Sequence, residues 1–294
     1  MIRRNIIGVV GVCAALAVGI ALGAGPLSSH DTSASTPAVV QADPALKSAA
    51  AFGQKWATQV GPDLYAGRLH GRRVALITLP GARASTVQQL RDGISVAKGV
   101  VASDVALTPS LLDPNRKVAV DTLGAQFARQ SQGTVDPQLP PYERLGQMLG
   151  MAVARAPMPQ YAAPGRRNAA ASVAITAQET LRTAKLADIS GAQGPAGVAL
   201  VVLGPHGDPD IVADLLRGLA TKVTGIVVAG GSGSGAHGVL ASLRQQHWNA
   251  RVMTVDGIET VYGRTAALTG LISQLTPHGG SYGASGIDGL VPLG

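Results

Sequence analysis

Five short runs of mostly apolar residues recur along the chain after residue 70, each bounded by glycine, proline or a charged side chain. They span residues 72–80, 99–107, 197–204, 225–230 and 251–257. Segments with the three- and four-residue apolar spacing of a helix lie near residues 86–98, 209–220, 236–246 and 260–275. Short, continuously apolar strands that alternate with helices are typical of a parallel sheet covered on both faces.

The middle of the chain is predicted to be largely helical. Apolar spacing indicates helices near residues 114–129, 142–155 and 171–187. Residues 130–170 are expected to form an irregular or helical insertion. We therefore predict one α/β domain of the Rossmann or flavodoxin type, with about five parallel strands, over residues 45–294. Its first element is a helix that carries Phe52 and Trp56 at an i, i+4 spacing.

The N-terminal residues have the pattern of a membrane anchor. Arg3 and Arg4 precede an uncharged apolar run of 22 residues from Ile6 to Leu27. Such a helix spans about 33 Å, close to the ~30 Å core of a bilayer, whereas the apolar part of a signal peptide has about 7–15 residues. We therefore predict a single transmembrane helix within residues 1–27, in the cytoplasmic membrane, with the N-terminus cytoplasmic and the main domain outside. A signal peptide cleaved near Ala21–Gly23 is the alternative.

The predicted anchor contains a possible helix-pairing motif and the only cysteine, and a predicted linker follows it. Gly19 and Gly23 form a G-x-x-x-G pair, which is compatible with a homodimer of membrane helices. Cys13, the only cysteine, lies within the predicted helix, so the external domain is expected to be held by packing without a disulfide bond. Residues 28–44 are rich in Ser, Thr, Ala and Pro and are predicted to be a flexible tether.

The charge distribution argues against a nucleic-acid-binding protein. The formal net charge is +7, but the basic residues are scattered and form no run with interleaved aromatic residues. We therefore predict no nucleic-acid partner and interpret the excess charge as a general attraction to an anionic envelope surface.

Residues 227–240, VVAGGSGSGAHGVL, raise the question of a nucleotide site. Gly233, Gly235 and Gly238 match the pattern G-x-G-x-x-G, and Asp256 lies at the end of the next predicted strand, where dinucleotide-binding domains carry a ribose-binding acid. However, the loop matches this pattern in more than one register, and only one predicted strand follows it. We therefore interpret it as a turn that starts a helix close to the sheet, with Gly233 at a permissive backbone position and Asp256 at or near the N-cap of the last helix.

A second apparent motif surrounds Ser281. Residues 279–283, GGSYG, match the G-x-S-x-G pattern of hydrolases, which requires a strand before the serine and a helix after it. Here a predicted helix precedes Ser281 and no histidine follows it. We therefore predict that the chain is not an enzyme and has no catalytic or cofactor-binding residues.

The potential metal ligands are dispersed. The six histidines form no i, i+2 or i, i+4 pair, and Met148 and Met151 share a helix face with leucines, which is typical of a core. Copper(I) prefers clustered thiolates and thioethers. The remaining metal candidates are His237, beside the glycine loop, and His278, after the last predicted helix, and we expect them at opposite edges of the sheet. The only cofactor under consideration is copper.

Four segments, in their order along the chain, resemble the actinobacterial MctB family of copper transporters, which includes SteB. They are LAVGIALGAG, GRRVALITLPG, VMTVDGIET with the following YGRTAALTGLI, and GGSYGASG. The resemblance covers the anchor and the regions 50–125 and 195–287, whereas residues 130–170 match poorly.

The resemblance implies a membrane-anchored envelope protein linked to copper homeostasis or efflux, and the family name suggests the outer envelope. It also implies a factor of envelope division that is paired with a partner called SteA. No ligand-binding residues can be carried over from the family. Members carry a long charged coiled coil between the anchor and the domain, whereas residues 28–44 contain no heptads. Oligomerisation through that element is therefore not expected here.

Two functions remain open at this point. One copy provides a single apolar helix without a polar stripe, so it is not expected to form a pore by itself. We expect an anchored binding or scaffold domain that serves copper homeostasis. The alternative is an interaction protein of envelope assembly or division whose link to copper is indirect.

Overall fold

The computed structural model describes residues 43–131, 133–154, 164–191 and 194–293. The predicted anchor 1–27, with Cys13, Gly19 and Gly23, and the tether up to residue 42 lie outside these ranges. None of the helices in the described ranges combines the length and the apolar character needed to cross a membrane.

The chain divides into two compact units, Met1–Val60 and Gly61–Gly294. The described part of the first unit is helix α1 (Pro44–Val60), which agrees with the predicted helix after residue 45. Phe52 on this helix is 65% exposed. Trp56, one turn later, is half-buried.

A seven-stranded, mostly parallel sheet forms the centre of the second unit. The strands are β1 (Arg73–Thr78), β2 (Val100–Leu107), β3 (Ala187–Ser190), β4 (Val198–Val202), β5 (Gly225–Ala229), β6 (Val252–Val255) and β7 (Gly280–Tyr282). Their spatial order is β3-β2-β1-β4-β5-β6-β7. All neighbours are parallel except β2 and β3, which are antiparallel. The predicted α/β class and all five predicted strands are confirmed.

Eight α-helices of the second unit are described. They are α2 (Ala84–Val96), α3 (Lys117–Gln130), α4 (Pro141–Val153), α5 (Pro164–Thr183), α6 (Pro209–Ala220), α7 (Ser232–His237), α8 (Val239–Arg244) and α9 (Val261–Ser273). Short 3-10 helices lie at Gly61–Leu64, Pro109–Leu111 and Pro114–Arg116.

The apolar strand runs follow from burial on both faces of the sheet. Successive side chains of a strand point to opposite faces. In β1, Val74 and Leu76 belong to a cluster with residues of α2 and α9, whereas Ala75 and Ile77 belong to a second cluster with residues of α4 and α6. Because both faces need apolar residues, these strands read as continuous apolar runs.

The strand order is that of the doubly wound fold, with β1 and β4 adjacent at the centre and one strand added beyond β6. β3 departs from the parallel arrangement because it runs against β2. It therefore ends at the edge of the sheet where β4 begins. The seven residues 191–197 suffice for this connection, whereas a parallel strand would need a crossover of a dozen or more residues.

The predicted insertion at residues 130–170 contains a central packing element. Every residue of α4 from Arg144 to Val153 is buried. The helix crosses α6 at glycines: a Cβ atom on Gly146 would lie 2.2 Å from the carbonyl oxygen of Leu215, and one on Gly218 would lie 1.9 Å from that of Glu143. The interpretation of this region as an insertion is therefore wrong for α4. The backbones of α4 and α6 touch, and the side chains of both helices belong to one core.

One further prediction needs correction, and two strands were not predicted. The helix predicted near residues 236–246 is two short helices, α7 and α8, which are separated at Gly238. Strands β3 and β7 were not predicted. They have only four and three residues and lie at the two edges of the sheet, where apolar residues are not required on both faces.

Candidate functional site

The carboxyl edge of the sheet is where a doubly wound fold usually binds ligands, in the crevice between the two central strands. Here the loops that follow β1 and β4 touch each other at that position. A Cβ atom on Gly204 would lie 1.8 Å from the carbonyl oxygen of Pro80. One on Gly81, which has a φ of 81°, would lie 2.9 Å from Cδ of Pro205. The chain's own backbone therefore occupies the crevice.

The glycine loop after β5 is closed by a carboxylate. Gly231 is the N-cap of α7, and the backbone N–H of Ser232 donates to both carboxylate oxygens of Glu259 at 3.1 and 3.2 Å. The Ser232 hydroxyl also donates to Glu259. A dinucleotide phosphate would be expected at the start of this helix. A side chain of the protein takes that place.

The loop after β6, which supplies Glu259, is held by Arg264. The guanidinium of Arg264 donates to the carbonyl oxygens of Ile258 and Glu259 at 3.2 and 3.0 Å. Burial lowers the pKa of Arg264, while the neighbouring Tyr65 and Glu259 act in the opposite direction. Burial likewise raises the pKa of the Tyr65 hydroxyl. These contacts fix the loop in place next to the glycine loop.

Asp256, which was predicted to lie at or near the N-cap of the last helix and not to bind a ribose, has another role. It is 1% exposed, and its carboxylate accepts from Arg244 at 3.0 Å and from the backbone N–H and hydroxyl of Ser285 at 3.1 and 2.8 Å. Thr260 is the N-cap of α9 and accepts from Gly263. Asp256 is therefore not the N-cap of α9, although it lies shortly before it. Its oxygens bind the C-terminal segment of the protein.

The close approach in the glycine loop is at Gly235, not at Gly233. A Cβ atom on Gly235 would lie 2.6 Å from the Asp256 carboxylate, whereas one on Gly233 would meet nothing within 4 Å. Gly233 is also absent from the glycines of positive φ. The expectation that Gly233 needs a permissive backbone is therefore wrong. Gly235 is required because α7 packs directly against Asp256.

Arg244, at the end of α8, connects the strands to the tail. Its Nε donates to Thr254 at 3.1 Å, one terminal nitrogen donates to Ser285 at 2.8 Å, and the other donates to Asp256 and to the carbonyl oxygen of Tyr282, the latter at 2.7 Å. Its side chain is only 11% exposed. Sequence reasoning did not predict this arginine, although a lone charge at the end of the apolar segment VLASLR was a possible signal.

The tail after β7 folds back along this edge strand. The backbone N–H of Ser281 donates to the Asp288 carboxylate at 2.8 Å, and that of Asp288 donates to the Ser281 carbonyl oxygen at 2.9 Å. Ser281 lies inside β7, and its hydroxyl accepts from Thr254 at 3.0 Å. It therefore does not occupy the strand-to-helix turn of a nucleophile elbow.

The predicted metal candidates are not brought together. His237 ends α7, beyond the carboxyl end of β5, whereas His278 precedes β7 at the amino edge of the sheet. Both are exposed. No group of three His, Cys, Asp or Glu side chains in the described ranges could hold a metal ion. Met148 and Met151 are 0% and 3% exposed, as their helical spacing predicted.

A groove of about 330 Å³ lies next to the last strands, and Arg244 forms part of its lining. The residues that form it include Arg244, Gln246, Trp248, Asn249, Thr254 and Ser281. Tryptophan and side-chain amides thus meet at the edge of the sheet, next to the GGSYG segment.

The chain matches a known protein family over nearly its whole length. Residues 1–292 match the family described as "Copper transport outer membrane protein, MctB", which is essentially the whole chain. No curated protein is similar enough to the chain to count as a relative.

Proposed function

Because the chain belongs to the MctB family of copper transport outer membrane proteins, we propose that it serves copper homeostasis in the cell envelope as an anchored binding or scaffold domain. The observation that carries this proposal is the filled carboxyl edge of the sheet. Pro80 and Gly204 close the central crevice, and Glu259 occupies the start of α7. The site where such folds usually perform chemistry on a small molecule is taken by the protein itself.

The distribution of soft ligands supports a scaffold over a direct copper carrier. A tight copper(I) site needs several sulfur or imidazole ligands close together. The two methionines of α4 are buried in packing, and His237 and His278 lie at opposite edges of the sheet. We therefore propose that copper is handled by a partner to which this domain binds, and that the chain is not an enzyme.

Cross-linking in intact cells tests this proposal. A photo-reactive residue at Ile287, which is 90% exposed beside the carboxyl edge, should capture one defined envelope protein. The same residue at Val100, which is 44% exposed at the start of β2, is the matched control on the amino edge. A captured component of copper efflux supports the proposal. No specific capture at Ile287 would contradict a role as a scaffold.

The alternative function, an interaction protein of envelope assembly or division with an indirect link to copper, is favoured by the same filled edge. The two proposals differ in the captured partner, which for the alternative is a SteA-like envelope component. Competition against a chromogenic copper(I) chelator separates both from direct copper binding. We expect the purified chain to bind copper(I) no more tightly than scattered surface histidines do. Stoichiometric capture that is lost in His237→Ala or His278→Ala would show a direct site.

A further inference from the structure

The groove beside Arg244 combines an aromatic ring with polar groups that have unused hydrogen-bonding capacity. Its volume of about 330 Å³ is at the lower end of the range for small-molecule sites, about 300–1,000 Å³. Thr254, which is 2% exposed, forms part of its floor. The groove is therefore of a size to hold a ligand of one or two rings.

Two amides of the groove are oriented by their own neighbours. The side-chain oxygen of Gln246 accepts from Arg217, and that of Asn249 accepts from the backbone N–H of Arg251 at 3.0 Å. These bonds assign the oxygen and nitrogen of each amide. The two NH₂ groups have no partner among the described residues, so each is a free donor at the groove.

Trp248 supplies the aromatic part of the lining, beside Ala250 and Val252. Its indole N–H donates to the carbonyl oxygen of Leu243 at 2.6 Å, and the guanidinium of Arg217 lies over the ring, 5.7 Å from its centroid. Both contacts fix the ring in one orientation. A rigid aromatic surface binds the C–H face of another ring at a low cost in conformational entropy.

The groove carries little net charge. Arg244 is the only charged lining residue in the described part of the chain, and the buried Asp256 neutralises it at 3.0 Å. The hydroxyl of Ser281 accepts from Thr254, which leaves its hydrogen available to donate. The lining thus offers several neutral donors and one aromatic surface, and it favours an uncharged ligand that is rich in acceptor oxygens.

We propose that this groove binds an uncharged saccharide, with Trp248 against the sugar ring and the amides of Gln246 and Asn249 as donors to its oxygens. A hexose with an acetamido group fits best, since its carbonyl oxygen is a strong acceptor that needs no counter-charge. Such a site would attach the domain to a glycan.

Tryptophan fluorescence of the full-length chain tests the saccharide site. The chain has two tryptophans, so Trp56→Phe leaves Trp248 as the only reporter. Titration with the disaccharide of N-acetylglucosamine should give a saturable change in its emission. Gln246→Ala and Asn249→Ala should each weaken binding roughly two- to tenfold, since each removes one neutral hydrogen bond. Gln245→Ala is the matched control, because this exposed neighbour does not line the groove.

Three results would overturn the proposal. One is an emission that does not change up to millimolar disaccharide. Another is an equal loss of binding in Gln245→Ala and Gln246→Ala. The third is displacement of the sugar by inorganic phosphate at equal concentration, which would identify an anion site centred on Arg244.

Discussion

Arg244 and Asp256 form the most deeply buried ion pair of the described residues, with side chains that are 11% and 0% exposed. Burying two charges costs solvation energy, which is recovered only when the remaining hydrogen-bonding groups are also satisfied. Ser285, Thr254 and Tyr282 supply those partners. The pair therefore fixes the tail and the last strands relative to each other.

We expect Asp256→Asn to lower the free energy of unfolding by about 3–5 kcal/mol, because Arg244 would remain buried without a counter-charge. Urea denaturation would measure the change. Asp214→Asn is the matched control, since Asp214 pairs with Arg217 where both side chains are partly exposed, 29% and 41%. Its cost should be at most about 1 kcal/mol. Equal losses in both variants would show that burial of the Arg244–Asp256 pair does not increase its contribution to the free energy of unfolding.

Gly233 and Gly235 in α7 allow the effect of an added methyl group on stability to be compared at two nearby positions. Gly235→Ala should destabilise the protein by about 1–3 kcal/mol, because the new methyl group meets the Asp256 carboxylate. Gly233→Ala meets nothing within 4 Å and should be neutral or stabilise by up to about 1 kcal/mol, through helix propensity. Thermal and urea unfolding of both variants would test this. The reverse order of stabilities would mean that Gly233 is the constrained position.

At the scale of elements, the least expected feature is the crossing of α4 and α6. The sequence of α4, PYERLGQMLGMAV, has apolar residues at helical spacing, so the helix itself could be predicted. Its burial on all sides could not be predicted. A glycine within a helix lowers helix propensity, and its role in close packing shows only when the element that packs against it is known. The partners Leu215 and Lys222 lie about 70 residues further along the chain.

Lys222 packs its aliphatic stem into the space left by Gly150 and donates from Nζ to the carbonyl oxygen of Thr134 at 2.6 Å. Burial lowers the pKa of this lysine from its ordinary 10.5. The folded chain therefore binds this proton less tightly than the unfolded chain does. It follows that the free energy of unfolding rises with pH in the window just below 10.5.

Comparison with Lys222→Met isolates this contribution, because methionine keeps the stem and removes the titrating group. The unfolding free energy of the wild type minus that of the variant should increase as the pH is raised from 7 to about 10.5. Lys117→Met, at an exposed position, is the control for the loss of one positive charge. A wild-type advantage that falls over this range would contradict the effect of burial.

Whether each of the other elements could be predicted depends on how its residues are buried. The central strands β4, β5 and β6 are apolar because both faces are covered, and this pattern was visible in the sequence. The edge strands β3 and β7 are held by backbone bonds to β2 and β6, and those bonds leave no trace in side-chain chemistry. The Glu259 contact with Ser232 bridges 27 residues and could not be inferred from either segment alone.

At the scale of the whole molecule, the chain covers the β7 side of its sheet and the carboxyl ends of the central strands. The tail occupies the free side of β7 through Asp288, and the loops of the carboxyl edge contact each other. An unpaired strand edge would invite pairing with other chains. What remains exposed beside this edge includes Ile287, at 90%, and Leu293, at 46%, and these apolar side chains would be suited to contact with the protein partner proposed above.

The predicted topology has a direct test. If residues 1–27 form an uncleaved anchor with Arg3 and Arg4 in the cytoplasm, residues 28–294 lie outside the cytoplasmic membrane. Protease added to spheroplasts of a bacterial host should then remove the domain without detergent, while a cytoplasmic protein stays intact. N-terminal sequencing of the purified protein should find the residues that precede Ile6. A domain that is protected until detergent is added would place it inside the cell, and a mature chain that begins near Ala24 would replace the anchor with a signal peptide.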